Sequence, residues 1–345
     1  MRKLKYAQAI SEAHDQLLAS DPSVMVIGQG LWSPWYAGQS ISELDKKYGK
    51  NRIIDTPVSE NAVTAAAIGA AMSGMKPILF HPRMDFMLLA TDALVNQAAN
   101  WSYLFSGQVN VPLTIRAAIN RGGEQGAQHS QALHAFFFHT PGIKVVMPAT
   151  ASDAKGLLIA AVNDGNPVMY IDDRWCYEHE EDVPKEMYAA ELGKAAILRE
   201  GQDLSIVGIG HLTLKALEAA DLLAMEGINA EVIDLRTVKP WDVKTVCKSV
   251  EKTGHLVVAD SAWVNGSVSG EIVSTVVVNN WNKNLKSAPV RVGLPNTPAP
   301  VASNLETIYY PDEKTIFKAA RIAIGKESMS SEYKPSMNSP GMIVG

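Results

Sequence analysis

The feature that most constrains this chain is a regular alternation of short, continuously apolar runs with stretches of helical length. The runs are Val24–Gly28 (VMVIG), Arg52–Asp55 (RIID), Lys76–Phe80 (KPILF), Val111–Ile115 (VPLTI), Lys144–Met147 (KVVM) and Val168–Ile171 (VMYI). They lack the in–out alternation of a half-exposed strand, so they predict strands buried on both faces, in a parallel sheet covered by helices. Between them, Ala7, Ile10, Ala13, Leu17 and Leu18 share one helical face that ends near Asp21 and Pro22. A small-residue helix is predicted from Glu60 to Ser73, and another helix from Met84 to Leu104.

The alternation stops between about Asp172 and Leu192. There Tyr177–Glu186 (YEHEEDVPKE) is charged, contains proline and reads as a linker. It then restarts with strands at Leu204–Gly208, Ala230–Asp234, His255–Ala259 and Pro289–Val292, and helices at Thr213–Glu226, after Pro240 and from about Ser267 to Val278. A length of 345 residues suits two domains at roughly 100–200 residues each. The expected architecture is therefore α/β, with two doubly wound domains, 1–185 and a smaller 186–325. Residues 326–345, rich in Ser, Met and Pro without periodicity, read as a flexible arm of the kind laid along a partner chain.

Composition removes several function classes. A chain 47% hydrophobic is not disordered in bulk, and a formal charge of −5 gives no basic footprint for nucleic acid. No run of roughly 18 apolar residues suggests a membrane span. The two cysteines, Cys176 and Cys247, lack CxxC spacing and suit a reducing cytoplasm.

Several motifs offer chemistry and most withdraw it. Gly208-Ile-Gly210 sits between a strand and a helix, but Thr213 stands where a dinucleotide fingerprint needs its third glycine, so an ordinary strand–helix turn is expected. No GxxxxGK[ST] loop occurs. His129, His134 and His139 recur every five residues, a spacing that on a helix rotates successive side chains about 140° apart and spoils a shared metal face. His179 lies in a solvated charge run. Asp55–Glu60 (DTPVSE) is different, because it puts a carboxylate on the first turn of a helix directly after a buried strand. One reading is local: Ser59 caps the helix and Glu60 complements its dipole. The other is chemical, since ligands of α/β sheets sit at the carboxyl ends of the strands.

DTPVSE, the small-residue helix ending MSGMKPI, GAQHSQ at Gly126–Gln131, PGIKVVMPATASDAKGLL at Pro141–Leu158 and AEVIDLRTVKPWD at Ala230–Asp242 occur in order. With them the chain, over about residues 3–325, resembles the β subunit of the thiamine-diphosphate-dependent E1 component of 2-oxo acid dehydrogenase complexes. The resemblance implies an N-terminal pyrimidine-binding domain and a transketolase-type C-terminal domain. It implies that Glu60 hydrogen-bonds N1′ of the aminopyrimidine and serves as its proton relay, with Phe86 packed on that ring and Gln29 close to the cofactor. It assigns His129 to acyl transfer onto lipoamide, and Leu113, Ala161, Asp164 and Asn166 to a structural monovalent cation such as K⁺. Core packing for Phe86, an ordinary loop histidine for His129 and a simple turn at Asn163–Pro167 remain the structural alternatives.

The family's diphosphate is held through Mg²⁺ on a GDG motif, and no GDG occurs in this sequence. The resemblance therefore implies an α subunit that carries the diphosphate and Mg²⁺, in an α₂β₂ heterotetramer, with lipoyl-E2 as the acyl acceptor. Departures bear on the reaction. Gln29 and Gly30 replace an acidic pair, followed by an aromatic run through Trp32, Trp35 and Tyr36. Leu89 replaces a glutamine of some relatives, and His81 and Arg83 replace apolar or hydroxyl residues. Three functions follow: an E1 β subunit, a split transketolase or acyloin-forming subunit with the same cofactor, and a catalytically degenerate scaffold.

Overall fold

The computed structural model describes residues 2–34, 36–329, 335–337 and 340–345, with only the backbone of Tyr36 and Ala37. The chain divides into two compact units, one comprising Met1–Asn120 with Phe136–Leu192, the other Arg121–Ala135 with Gly193–Gly345. No helix among the described residues is long and apolar enough to cross a membrane.

In the first unit the elements follow as β1 (Arg2–Lys5), α1 (Tyr6–Ser20), β2 (Val24–Gly28), α2 (Leu44–Tyr48), β3 (Ile53–Asp55), α3 (Glu60–Met72), β4 (Lys76–His81), α4 (Trp101–Leu104), β5 (Thr114–Ile119), α5 (His134–His139, whose first two residues group with the second unit), β6 (Lys144–Val146), α6 (Ala151–Asn163), β7 (Val168–Asp173) and β8 (Glu180–Val183). The unit's main sheet runs β6-β7-β5-β4-β2-β3, and its pairings are parallel. The strands β2, β5 and β7 are buried along their whole length, as the apolar runs at Val24–Gly28 and Val168–Ile171 predicted for β2 and for most of β7. Helices α1 and α6 pack together, and α3 packs on β4. β2 can approach β4 closely because of Gly28, where a Cβ would lie 2.3 Å from the Phe80 carbonyl oxygen.

The second unit continues with β9 (Ala196–Arg199), β10 (Leu204–Ile209), α7 (His211–Met225), β11 (Ala230–Asp234), β12 (Thr237–Lys239), α8 (Val243–Thr253), β13 (Leu256–Trp263), α9 (Val268–Asn280), β14 (Val290–Leu294), α10 (Ser303–Tyr309), α11 (Glu313–Ala323) and β15 (Met342–Val344). Its sheet runs β15-β14-β13-β10-β11-β9, parallel at the centre and antiparallel at both edges. The helices form two packed pairs, α7 with α11 and α8 with α9. Leu212, Ala216, Ala219, Leu223, Ile316 and Ala320 bury the first pair against Ile206, Val232 and Val257.

Four local expectations change. The charge run at 177–186 contains β8, which pairs antiparallel with β1 so that Lys3 faces Asp182 and Lys5 faces Glu180. Opposite charges directly across a strand pair attract, so this segment is a partner strand as well as a connection. The helix expected over 84–104 is broken into a 3-10 turn (Phe86–Ala90), a π-helical stretch (Ala93–Ala98) and α4. Asn100 Nδ2 donates to the Val95 carbonyl at 3.1 Å, diverting a main-chain acceptor from the regular ladder. β5 lies at 114–119 rather than 111–115, because it contains a buried arginine that an apolar pattern does not include. The end of the expected arm forms β15 on β14, while residues 330–334, 338 and 339, like Trp35 of the aromatic run, lie outside the described residues.

Candidate active site

The first unit's sheet has a topological switch point between β2 and β4. From β2 the chain adds β3 on one side and then returns to add β4 on the other. The crevice beyond the carboxyl ends at such a point is where open α/β sheets bind ligands. Three polar residues stand there by chain position: Gln29 directly after β2, Glu60 where α3 begins after β3, and His81 at the last position of β4.

Glu60 is buried, 6% exposed, as the first residue of α3. Gln29 Nε2 donates to Glu60 Oε1 at 3.1 Å. The structure thus joins two residues that the sequence assigned to one site. The local reading of the motif is corrected in one respect: Ser59 occupies the N-cap position but its side chain makes no capping hydrogen bond. Glu60 therefore faces inward beside a helix N-terminus, where the dipole favours negative charge.

His81 is 2% exposed, and its Nε2 lies 3.2 Å from the Thr64 hydroxyl, one turn along α3 from Glu60. Burial pushes the imidazole down to about 4, against the upward pull of Glu60, so the ring is neutral at pH 7. Its Nδ1 and the hydroxyl of Thr56 are buried without a protein partner. Buried polar atoms are normally satisfied, so these two atoms have hydrogen-bonding capacity left for a polar ligand. Thr56 carried no sequence signal beyond its place in DTPVSE.

The loop after β2 is pinned to the same strands. Leu31 N–H donates to Asp55 Oδ1 at 3.2 Å, Trp32 Nε1 to the Ile53 carbonyl at 2.9 Å, and Lys50 Nζ lies 3.9 Å from the Trp32 ring centroid. Phe86 opens the 3-10 turn that packs against α3, and its ring remains 38% exposed. Arg83, between His81 and Phe86, bonds the Pro82 carbonyl at 3.0 Å and keeps a buried, unpartnered Nε. Leu89 is exposed.

The other expected residues lie elsewhere. His129 is half-buried in the segment Arg121–Ala135, which groups with the second unit. Leu113 and Ala161 are buried, and their carbonyls accept from Val168 N–H at 3.0 Å and Asp164 N–H at 3.4 Å. Lys144 forms an ion pair with Asp164 Oδ2, whereas Oδ1 is buried without a partner. The buried oxygen fits a hard cation, and the lysine already supplies one positive charge to the same carboxylate. Asn166 is half-buried on the turn before β7. Among the described residues, no three His, Cys, Asp or Glu side chains converge as a metal would need.

Gly208 shows why the apparent dinucleotide motif carries glycine. A Cβ there would lie 2.4 Å from Thr213 Cα, so the residue serves the close approach of α7 to β10.

Residues 2–177 match the family described as "Transketolase, pyrimidine binding domain" and residues 193–316 that described as "Transketolase, C-terminal domain". The chain is 42% identical to the acetoin:2,6-dichlorophenolindophenol oxidoreductase β subunit of Cupriavidus necator, covering 93% of this chain and 97% of that one. It is 36% identical to the pyruvate dehydrogenase E1 component β subunit of Rickettsia conorii, covering 91% and 96%. A solved split-gene transketolase, described as an inactive β4 tetramer, has the same fold with a TM-score of 0.77 at 22% identity, covering 93% and 99%.

Proposed function

The chain belongs to the E1 β-subunit family of 2-oxo acid dehydrogenases, and from that premise we propose that it provides the pyrimidine half of a thiamine-diphosphate active site. The observation that carries the proposal is the buried Glu60 carboxylate, held by Gln29 at the switch point of a parallel sheet. When bound, the cofactor supplies the electron sink for cleaving a bond next to a carbonyl group. The chain's own contribution is to hold and move a proton. With Gln29 on Oε1, Glu60 would hold N1′ of the aminopyrimidine through its carboxyl group and exchange a proton there. Phe86 offers an exposed aromatic face to the same ring, and His81 Nδ1 and Thr56 Oγ1 supply neutral hydrogen-bonding groups around it.

The diphosphate and its Mg²⁺ need ligands that this sequence does not group together, so they fall to an α subunit bearing a GDG motif, in an α₂β₂ complex in the cytoplasm. The complex decarboxylates a 2-oxo acid, and His129 serves acyl transfer to lipoyl-E2. Leu113, Ala161, Asp164 and Asn166 hold a monovalent cation, K⁺ by its hard-oxygen preference. Full resistance of the complex to thermal destabilisation when K⁺ is exchanged for choline would remove that assignment.

A second reading keeps the cofactor and changes the substrate to an acyloin. It is favoured by the match to a subunit named for acetoin oxidation and by an amide where the family's acidic pair begins. One assay separates the two. The chain with its partner is given 2-oxo acids or acyloins and an artificial electron acceptor. CO₂ release from a 2-oxo acid supports the dehydrogenase, whereas acceptor reduction by acyloins alone supports the second reading. A complex that never binds thiamine diphosphate would leave only a scaffold.

A further inference from the structure

The second unit's sheet has a switch point of its own. β10 is flanked by β11 on one side and β13 on the other, and the chain adds them in that order. The crevice beyond the carboxyl ends of β10 and β13 is the position at which a sheet of this kind takes a ligand. Asp260 stands there, opposite Ile209 in the β10–β13 register and 1% exposed. Its occupant is the chain itself: His134 Nε2, fully buried, lies 2.9 Å from Asp260 Oδ1.

We propose that Asp260 and His134 form a latch through which the second unit positions the segment carrying His129. The proposal rests on the assignment of His129 to acyl transfer made above. Residues 120–133 form no helix or strand between β5 and α5. A segment without its own backbone ladder depends on ties to its surroundings for a fixed position.

Among the described residues, four contacts with other residues of the second unit flank His129. Glu124 N–H donates to Glu306 Oε2 at 3.3 Å, and Glu306 is itself buried in α10. Gly126 has a φ of +68°, and a Cβ added there would lie 2.7 Å from Val301 Cγ2. The Arg121 guanidinium lies 5.9 Å from the Tyr310 ring centroid. His134 closes the set, as many residues after His129 as Glu124 lies before it.

Asp260 is built to keep this pair. The Ala262 N–H donates to the same Oδ1 at 3.2 Å, and Ser261 Oγ bonds the Ile209 carbonyl at 3.2 Å, locking the strand beside it. Burial pushes the Asp260 carboxyl up, but His134 and the backbone N–H groups of Ala262 and Ser269 outweigh it and hold it below the ordinary carboxylate range. A buried carboxylate without such partners is strongly disfavoured. The latch therefore serves position: Asp260 acts on the reaction only through where it holds His129.

The test compares wild type with Asp260→Asn and Asp260→Glu in the complex with the α partner. Amide hydrogen exchange is read across residues 122–133 and across β10 and β13. Two half-reactions are read beside it: CO₂ release with an artificial electron acceptor, and acyl transfer to a lipoyl domain. Asp260→Asn should accelerate exchange in 122–133 while leaving both strands protected. It should slow acyl transfer by about tenfold to a hundredfold, the penalty of a misplaced catalytic group, raise the KM for the lipoyl domain and spare CO₂ release. Asp260→Glu should recover part of the loss.

Should Asp260→Asn fail to fold, Glu306→Ala, which removes the Glu124 tie from the periphery, must give the same pattern in milder form. Unchanged exchange in 122–133, or equal loss of both half-reactions, overturns the latch. His129→Ala in the same assay separates the premises. If it transfers acyl groups at the wild-type rate, the reading of His129 falls, while the exchange data still decide whether Asp260 fixes the segment.

Discussion

At Glu60 one carboxylate oxygen accepts from Gln29 Nε2 at 3.1 Å, and the second is the oxygen proposed above to meet the ligand ring. That asymmetry predicts the effect of restoring the family's acid. Gln29→Glu would bring two carboxylates to about hydrogen-bonding distance, and they cannot both ionise cheaply. The acid limb of the pH–rate profile should therefore move upward by about one unit or more, and an unmoved limb would show that Gln29 does not control Glu60. The buried histidines make a stability prediction of definite sign. Burial holds His14 at about 3 and His81 at about 4, against an ordinary 6.5. Between those values the unfolded chain binds protons that the folded chain refuses. Stability present above pH 6.5 is thus lost on acidification, at up to ~1.4 kcal/mol per pH unit for each histidine. Urea midpoints between pH 7 and 5 should fall less steeply in His81→Gln than in wild type. Glu60 and Gln29 were legible because a motif and a departure from it drew the eye to both. Thr56 and the unpartnered Nδ1 of His81 were not, since burial without a partner is a property of the packed neighbourhood.

Among the elements, the apolar runs located most buried strands well but misplaced β5. Arg116 within it is fully buried, its Nε and Nη2 on the Asp172 carboxylate of β7 at 3.1 and 2.8 Å, and the Tyr177 hydroxyl donates to the same group. Such a pair reads as polar in sequence because its partner arrives from a strand more than fifty residues away. Asp172→Ala should cost about 3–5 kcal/mol, the cost of stranding a buried charge, and a loss below about 1 kcal/mol would mean that water reaches the guanidinium. The β1–β8 pair escaped notice for a related reason, as each strand's charges look solvated until the register sets them opposite one another. Gly208→Ala should destabilise the second unit by about 1–3 kcal/mol through overpacking, measured by chemical denaturation. That loss would occur without any change in nucleotide affinity, because the glycine serves packing.

For the whole molecule, each unit has a parallel-centred sheet with a switch point. In the first unit the crevice is lined by Gln29, Glu60 and His81, and in the second it is filled by the chain's own His134. The alternation of strands and helices made this two-part architecture legible in the sequence. It could not show that Arg121–Ala135 groups with the second unit, because those ties are made one side chain at a time across long stretches of chain. The chain carries a buried carboxylate, Glu60, at the switch point and no GDG sequence, and the function proposed above places catalysis in a complex of two kinds of subunit. The central claim is that Glu60 moves the proton that activates the cofactor, and its most direct measurement is deuterium exchange at C2 of thiamine diphosphate bound to the complex with the α partner. Glu60→Gln should assemble and bind the cofactor yet slow that exchange by about 10²–10⁴-fold, the usual contribution of a placed acid–base group. Exchange at the wild-type rate in that variant would contradict the account.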